Sequence, residues 1–400
     1  MTIGSQDRIA VMHFATEPVR AGAEEHMLTL LRLLDRSRFQ PLLATHPELI
    51  EMLRPDLPPD VETIPVILRG PRDLKGARAL FHAMRTRKVA IVHSHMFQAS
   101  RLASPLAWLA GVPATIETPH GREYWRRGLI KGSFAIDRTI GRFVTAYIAV
   151  SHANAKYLIE EKRLPREKIH VVQNGIPITR FDPNHAAGPD LRRTAQIEDD
   201  APVVVVLARL EPQKGHQVLL EAWQAVVRRF PRARLVCVGA GQLREALEAQ
   251  VAELAIAQSV RFVGYQSNVA DWLALANFTV LPSFYEGLPL VAIESLAAGR
   301  AMVATQVDGT SEVVIDGETG LLVPPGQPDL LSAAICRLLE SPELAQRLGQ
   351  AGRRLVEDQF SETRQVAETE TVYTTALGSP HGGMAARSAF VPAITSGDHS

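Results

Sequence analysis

The stretch V-V-V-V-L-A-R-L-E-P-Q-K-G at 203–215 joins an apolar run to a polar loop, an arrangement typical of parallel α/β sheets. The run 203–208 predicts a buried strand, because strands covered on both faces are continuously hydrophobic. The pattern at 216–229 predicts the helix that follows the loop. Arg209 and Lys214 are therefore expected at the carboxyl end of a strand, the edge where open α/β sheets bind ligands.

Arg209 and Lys214 carry the two kinds of positive charge that suit a pyrophosphate. The guanidinium group is a planar fork and the ammonium group is a compact point charge. Together they could neutralise a diphosphate leaving group. The alternative is that both side chains make ordinary surface ion pairs.

The β-α rhythm continues beyond this first unit. The segment R-L-V-C-V-G at 234–239 predicts a second strand that ends in G-A-G, and V-R-F-V-G-Y at 260–265 predicts a third. Gly239 and Gly241 would allow a phosphate to approach the backbone, although Gly-x-Gly after a strand is common in any doubly wound sheet.

The segment E-G-L-P-L-V-A-I-E runs from Glu286 to Glu294 around a Gly-x-Pro turn. Pro289 is expected in the first turn of a helix, where it costs no backbone hydrogen bond. The N–H groups of Leu290 and Val291 would then be free to bind a diphosphate at the positive end of the helix dipole. Glu286 could accept hydrogen bonds from sugar hydroxyls, and Glu294 could hold a ribose diol. Two solvated carboxylates beside a helix start are the alternative.

Taken together, these segments resemble the retaining glycosyltransferases of family 4. That family has the α/β fold known as GT-B, with two Rossmann-like doubly wound domains facing a central cleft. The resemblance covers roughly residues 8–375 and is most specific in R-L-x-P-x-K-G and in the Glu-x7-Glu segment, which A-A-G-R-A-M-V-A-T follows. It implies that Arg209 and Lys214 bind the donor diphosphate. Glu286 would bind the transferred sugar and Glu294 the ribose.

Two further donor contacts are implied by the resemblance. Tyr265, after the third strand, would border the base, or else is an ordinary half-buried tyrosine. The first strand, I-A-V-M-H-F at 9–14, leads to a loop in which Gly22 would approach the donor phosphates. The family usually has two consecutive glycines there, whereas Ala21 stands in the first position and gives the loop less access to positive φ.

Several histidines of the amino-terminal half follow predicted strands or lie within them. His120, in the context T-P-H-G after the segment A-T-I-E, matches the active-site histidine of the family. We interpret His13, His93 and His95 as structural residues, because histidines in strands more often serve the core than a site.

Size and composition agree with two soluble domains. The chain has 400 residues, of which 46% are hydrophobic, enough for two separate cores. No apolar run approaches the ~20 residues of a membrane span, and no signal-peptide pattern begins the chain, so we expect a cytoplasmic protein. Cys237 and Cys336 offer neither a disulfide framework nor metal-ligand spacing and are expected in the core. Because no Asp-x-Asp occurs, we expect neither a metal ion nor another cofactor, and Arg209, Lys214 and helix N–H groups would have to stabilise the leaving diphosphate.

Charge is distributed unevenly although the net charge is zero. Residues 1–185 contain 26 Lys and Arg against 18 Asp and Glu, which suggests that this half meets an anionic partner. Two basic stretches stand out, 69–88 and R-E-Y-W-R-R-G-L-I-K at 122–131. Either could lie on an anionic membrane surface or receive a phosphorylated acceptor, and a solvated helix face also explains the first. Nucleic acid is not expected, since no binding motif accompanies the charge.

The predicted organisation has five parts. They are an acceptor-side Rossmann-like domain at 8–180, an interdomain linker at 181–200, a nucleotide-sugar-binding Rossmann-like domain at 201–358, a helix at 361–376 that in this family crosses back onto the first domain, and a disordered tail at 378–400. Asn174 and Gly175, in a predicted strand and turn, are candidates for the hinge.

These features predict a retaining glycosyltransferase, one that moves a sugar from a nucleoside-diphosphate sugar to a saccharide or lipid-linked acceptor in glycan assembly. A sugar-nucleotide epimerase or a phosphorylase of similar architecture is the main alternative. A non-catalytic nucleotide-sugar-binding protein is the other, although such a protein is expected to lose part of the Arg, Lys, Glu, Glu and His set that is complete here.

Overall fold

The computed structural model describes residues 8–122, 134–185 and 190–378. Within these ranges the chain forms two units. Unit 1 contains residues 8–150, 155–172 and 366–378, and unit 2 contains residues 151–154 and 173–365. Residues 123–131 of the second basic stretch, 186–189 of the linker and 379–400 of the tail lie outside the described residues.

Unit 1 is built on a seven-stranded sheet in which all paired strands are parallel, in the order β3-β2-β1-β4-β5-β6-β7. The strands are β1 (Ile9–Phe14), β2 (Phe39–Thr45), β3 (Glu62–Pro65), β4 (Ile91–His95), β5 (Ala114–Thr118), β6 (Ala146–Ala149) and β7 (Ile169–Val171). The helices up to the end of this sheet are α1 (Gly22–Leu33), α2 (Pro47–Leu53), α3 (Leu74–Thr86), α4 (Met96–Ala110), α5 (Phe134–Ile140) and α6 (His152–Lys156).

Unit 2 is built on a six-stranded parallel sheet in the order β10-β9-β8-β11-β12-β13. The strands are β8 (Val203–Leu207), β9 (Arg234–Val238), β10 (Val260–Gly264), β11 (Phe278–Leu281), β12 (Met302–Thr305) and β13 (Gly320–Val323). The helices are α7 (Leu191–Thr194), α8 (His216–Arg229), α9 (Arg244–Glu253), α10 (Val269–Leu275), α11 (Leu290–Ala297), α12 (Thr310–Val313), α13 (Pro328–Glu340) and α14 (Pro342–Gln359), and α15 (Glu362–Gly378) follows.

The doubly wound α/β prediction is confirmed in both units, and the pattern of burial explains why. Every residue of β8 is buried, as the apolar run predicts for a strand covered on both faces. Helix α8 places Trp223 against this sheet, fully buried in the main core of unit 2. Cys237 and Cys336 belong to the same core, in agreement with the sequence.

The predicted hinge residues are bonded within unit 2. The side-chain amide of Asn174 donates to the carbonyl of Leu288 at 3.3 Å, and the N–H of Gly175 donates to the Gln365 side chain at 2.6 Å. A Cβ on Gly175 would come within 2.1 Å of the Ser361 carbonyl oxygen, so only glycine fits. Residues 173–180, which the sequence assigns to the first domain, therefore make their contacts with unit 2.

Candidate functional site

The loop after β8 carries the two predicted phosphate-binding cations. A short 3-10 turn, Pro212–Lys214, ends at Gly215, whose φ of +65° is reached easily only by glycine. A Cβ at Gly215 would lie 2.1 Å from the Pro282 carbonyl oxygen. The turn therefore packs closely against the end of β11, which brings Lys214 to the segment that begins the Glu-x7-Glu motif.

Lys214 forms a buried ion pair with Glu286. Its Nζ lies 2.6 Å from Glu286 Oε1, and the two side chains are only 14% and 6% exposed. The hydroxyl of Ser283 donates to the same carboxylate oxygen at 2.6 Å. The backbone N–H of Glu286 donates to Asp308 Oδ2 at 3.2 Å. Lys214 and Ser283 thus hold the carboxylate of Glu286, and Asp308 holds its backbone.

Arg209 is placed differently from Lys214. Its guanidinium group contacts Glu211 Oε1 at 2.8 Å, and the two side chains are 45% and 33% exposed. An exposed pair of this kind contributes little to stability and can exchange partners readily. Arg209 is therefore available to a ligand at the carboxyl edge of the sheet, whereas Lys214 must leave or share Glu286 to contact one.

Helix α11 begins one residue later than the sequence indicates. Pro289 is the N-cap residue, with extended backbone, and is not inside the first turn, so this detail of the prediction is wrong. The carbonyl of Pro289 accepts from Ala292 and Ile293, which means that the proline ring lies where the chain enters the helix. Leu290 and Val291 are consequently the first two helical residues, whose N–H groups have no acceptor within a helix.

The glycines after β9 are explained by backbone contacts. Gly239 has a φ of +147°, and a Cβ there would lie 2.0 Å from the Ala208 carbonyl oxygen. A Cβ on Gly241 would lie 2.4 Å from the carbonyl oxygen of Leu210. The N–H of Leu210 donates to the carbonyl oxygen of Ala240 at 2.9 Å, so a backbone hydrogen bond joins the loops after β8 and β9. Because they lack a Cβ, these glycines allow the backbone after β9 to pack against the loop that carries Arg209.

Asp308 and Gly309 belong to the site, although the sequence reasoning missed them. Asp308 adopts a φ of +37° and binds the backbone of Glu286. A Cβ on Gly309 would lie 2.0 Å from the Gly287 carbonyl oxygen. The available signal was the Asp-Gly pair shortly after β12, which is a turn signature. Ser283 gave no such signal.

His216 is buried at the start of α8, next to the Lys214 turn. Burial lowers the pKa of His216 to about 4, and the nearby charge of Lys214 adds to the effect. Neither ring nitrogen has a hydrogen-bond partner among the described residues. The imidazole is therefore neutral at neutral pH and adds no charge to the site.

In unit 1, Ala21 does not hinder the loop that carries Gly22. Ala21 has φ −148° and ψ −164°, an extended conformation open to any residue, so no positive φ is required of it. Its N–H donates to Glu24 Oε2 at 2.9 Å. Gly22, exposed, is the first residue of α1, and a helix N-terminus of this kind attracts anions.

His120 is half-buried and follows β5, as predicted. Burial and the neighbouring His26 hold the pKa of His120 well below its usual value, so its imidazole is neutral. His13, His93 and His95 are buried, in agreement with a structural role. They are not separate from His120, however, because His95 Nδ1 lies 3.3 Å from His120 Nε2.

The structure brings Lys214 and Glu286 into direct contact and places the other predicted unit 2 residues on loops and helix starts that follow the strands of the same sheet. Those residues are Arg209, Gly239, Tyr265, Leu290, Val291 and Glu294. Tyr265 is 73% exposed, which leaves its face open to stack on a planar group. Glu294 is half-buried in the second turn of α11. Chemically, the edge offers cations, helix N–H groups and carboxylates, as an anionic ligand with hydroxyl groups requires.

Two family models match the chain. Residues 20–180 match the model described as Glycosyltransferase Family 4, and residues 189–355 match Glycosyl transferases group 1. Within the part of the chain that the structure describes, no helix is long and apolar enough to cross a bilayer.

Similar proteins cover most of the chain. D-inositol 3-phosphate glycosyltransferase of Thermobispora bispora is 31% identical over 369 residues, 82% of this chain and 84% of that protein. Alpha-maltose-1-phosphate synthase of Mycolicibacterium smegmatis is 32% identical over 308 residues, 71% and 78% of the two chains. The crystal structure of Anabaena Alr3699/HepE in complex with UDP-glucose superposes with a TM-score of 0.79 at 18% identity, covering 91% of this chain and all of that one.

Proposed function

The chain belongs to the group 1 glycosyl transferases of glycosyltransferase family 4, as its motifs predict, and on this premise we propose which reaction it performs. It is a glycosyltransferase with the GT-B fold. We propose that it transfers a sugar from a nucleoside-diphosphate sugar to a hydroxyl group of a saccharide or lipid-linked acceptor, with retention of the anomeric configuration.

The observation that carries this proposal is the position of the Lys214–Glu286 pair. It lies at the carboxyl edge of the unit 2 sheet, where α/β folds bind ligands. The start of α11 follows Glu286 within a few residues and offers N–H groups to a diphosphate. One sheet edge therefore presents a carboxylate for the sugar and donors for the phosphates.

The roles follow from charge and exposure. Arg209 and Lys214 would neutralise the diphosphate as the bond to the anomeric carbon breaks, with Leu290 and Val291 donating from the helix start. Glu286, held by Ser283 and by the backbone contact to Asp308, is rigid enough to orient sugar hydroxyls.

The remaining donor contacts and the acceptor side complete the proposal. Glu294 would bind the ribose and Tyr265 would lie against the base. The family resemblance further assigns Gly22 and Gly239 to the donor phosphates and His120 to the active site. No bound metal ion is needed in this scheme, because cations and helix N–H groups stabilise the charge on the leaving group. Attack on the face of the departing diphosphate would give the retained configuration.

The relatives support a nucleotide-sugar donor but not one donor in particular. The Anabaena protein was crystallised with UDP-glucose, which makes uridine diphosphate sugars the first to test. Thermal shift against a panel of nucleoside diphosphates and their sugars should show stabilisation by one base, since ligand binding raises apparent stability by mass action. Product formation with candidate acceptors then tests transfer. NMR coupling at the new anomeric carbon distinguishes retention from inversion.

The reaction products would also distinguish a glycosyltransferase from an epimerase, a phosphorylase or a non-catalytic binding protein. An epimerase would change the sugar nucleotide without an acceptor, and a phosphorylase would require phosphate. Either outcome would contradict transfer to an acceptor hydroxyl. Stabilisation by a nucleotide sugar without turnover on any acceptor would favour a binding protein.

A peripheral membrane location is a subordinate part of the proposal. On α3, Lys75, Arg78 and Arg85 are exposed on one helical stripe, and Leu74 at the helix start is 79% exposed. Such a stripe fits an anionic lipid surface at the cytoplasmic face. Sedimentation with anionic vesicles should fall steeply with salt and with Lys75→Glu and Arg78→Glu together. Equal recovery on neutral and anionic vesicles would contradict it.

A further inference from the structure

Five histidines of unit 1 pack against one another. They come from four segments, with His13 on β1, His26 on α1, His93 and His95 on β4, and His120 after β5. Neighbouring ring centroids lie 4.4 to 5.7 Å apart. So dense a group of imidazoles is more than the donor site requires, since the proposed reaction uses His120 alone.

One subset has the geometry of metal ligands. His26, His95 and His120 each offer one ring nitrogen, and these three atoms all lie within 4.8 Å of one another. His95 Nδ1 and His120 Nε2 are 3.3 Å apart. Two imidazole nitrogens bound to a tetrahedral zinc ion at ~2.0–2.1 Å would lie ~3.3–3.4 Å apart, so this pair already has the required spacing.

His13 orients His95, one of the three candidate ligands. His95 Nε2 lies 3.1 Å from His13 Nδ1. A hydrogen bond on the far side of a ligating imidazole fixes its ring and its tautomer, which is the usual second contact of a metal-bound histidine. When His95 Nε2 donates to His13, Nδ1 of His95 carries the lone pair that a metal ion needs.

The other triad, His13, His93 and His95, is a poorer candidate. Both nitrogens of His93 already lie 2.7 Å from hydroxyl oxygens, Nδ1 from Tyr373 and Nε2 from Thr118. Binding a metal ion there would break one of these short contacts in a fully buried place. The half-buried His120 leaves the first triad partly open to solvent.

We propose that His26, His95 and His120 form a binding site for a divalent transition-metal ion of the zinc class, with water in the fourth position. Neutral imidazole suits zinc, copper and nickel and does not suit magnesium or calcium, so the site selects against the hard cations. This inference goes beyond the proposed function, which needs no metal ion. Because the ion would occupy Nε2 of His120, it should inhibit transfer, and that consequence alone rests on the proposed role of His120.

The test uses the full chain without a histidine tag, stripped with chelator. Calorimetric titration with zinc chloride should show one saturable site per chain, and cobalt should give the intense visible absorption of tetrahedral coordination. His120→Ala should weaken zinc binding by about 100-fold or more, beyond the effect of losing an outer-shell partner. His82→Ala removes an exposed histidine of α3 outside the cluster and should leave the affinity unchanged.

His26→Ala is the second ligand variant, with circular dichroism to confirm its fold. If it does not fold, His120→Ala decides alone, because that side chain is less buried. Absence of saturable zinc binding, or equal zinc affinity in wild type and His120→Ala, would overturn the proposal. Zinc binding that is lost in His120→Ala but does not inhibit transfer would leave the metal site standing and contradict the role given to His120.

Discussion

Removal of Lys214 should destabilise unit 2, and this prediction separates the two cations that the sequence treats alike. Lys214→Ala leaves Glu286, whose side chain is 6% exposed, without its ion partner at 2.6 Å. Breaking a buried pair by removing one partner typically costs about 3–5 kcal/mol. Since the Ser283 hydroxyl still donates to the carboxylate, we expect the lower end, about 3 kcal/mol, in free energy of unfolding.

Arg209→Ala is the matched control. Its pair with Glu211 is exposed, and such pairs contribute only about 0–1 kcal/mol. Both variants should lose turnover by roughly 10²-fold, because each removes a charge from the developing diphosphate. Only Lys214→Ala should lose much stability, because only its ion pair is buried.

Guanidinium unfolding followed by tryptophan fluorescence is a suitable assay, because Trp223 and Trp272 are both buried in unit 2. Two units can unfold in separate transitions, so the midpoint and slope should be taken from the transition that hydrogen exchange assigns to residues 201–365. The double variant Lys214→Met with Glu286→Gln should recover stability, with a coupling energy of about 1–3 kcal/mol. Additive single effects, or equal losses in Lys214→Ala and Arg209→Ala, would refute the reasoning.

Three more expectations concern metal dependence, acid stability and loop geometry. Turnover should persist in excess chelator, and loss of activity that magnesium or manganese restores would contradict the metal-free diphosphate site. The pKa of His216 is about 4 in the folded chain and 6.5 in the unfolded chain, so its contribution to the stability of unit 2 is complete above pH 6.5. About 3 kcal/mol of stability is lost as the pH falls toward 4. The pH slope of unit 2 unfolding should therefore flatten in His216→Leu, and an unchanged slope would exclude this origin. Gly239→Ala should cost more than ~2 kcal/mol of unfolding free energy, because strain and a backbone clash combine. Gly264→Ala, at φ +74° with no atom within 4 Å of the new Cβ, should cost only about 1–2 kcal/mol. Guanidinium unfolding of the two variants side by side measures the difference, and equal losses would contradict the backbone clash.

The sheets could be predicted because strand periodicity is local. Strand β1 at Ile9–Phe14 and helix α8 at His216–Arg229 have the predicted bounds, since a continuous apolar run or a 3.6-residue period is visible in any short window. The start of α11 was misplaced by one residue, because Pro is compatible with both the N-cap and the first turn.

The contacts within the site could not be predicted, because they join distant segments. Lys214 and Glu286 are 72 residues apart, and Asp308 lies 22 residues beyond Glu286. The loop lengths and the strand order bring them together, and neither is encoded in a local pattern. The histidine cluster is the clearest case, since the sequence indicates structural roles for His13, His93 and His95 and gives no sign that they contact His120.

The proposed donor site is tested most directly by the bare nucleoside diphosphate that stabilises the protein most. Calorimetric titration of Glu286→Gln and Glu294→Gln, beside steady-state kinetics, separates the two carboxylates. If Glu294 holds the ribose, its loss should weaken diphosphate binding by ~1.5–3 kcal/mol, the range for hydrogen bonds to charged groups. Loss of Glu286, which contacts the transferred sugar, should lower kcat far more than it weakens that binding. If Glu286→Gln abolished diphosphate binding while Glu294→Gln left it unchanged, the proposed orientation of the donor along this sheet edge would be wrong.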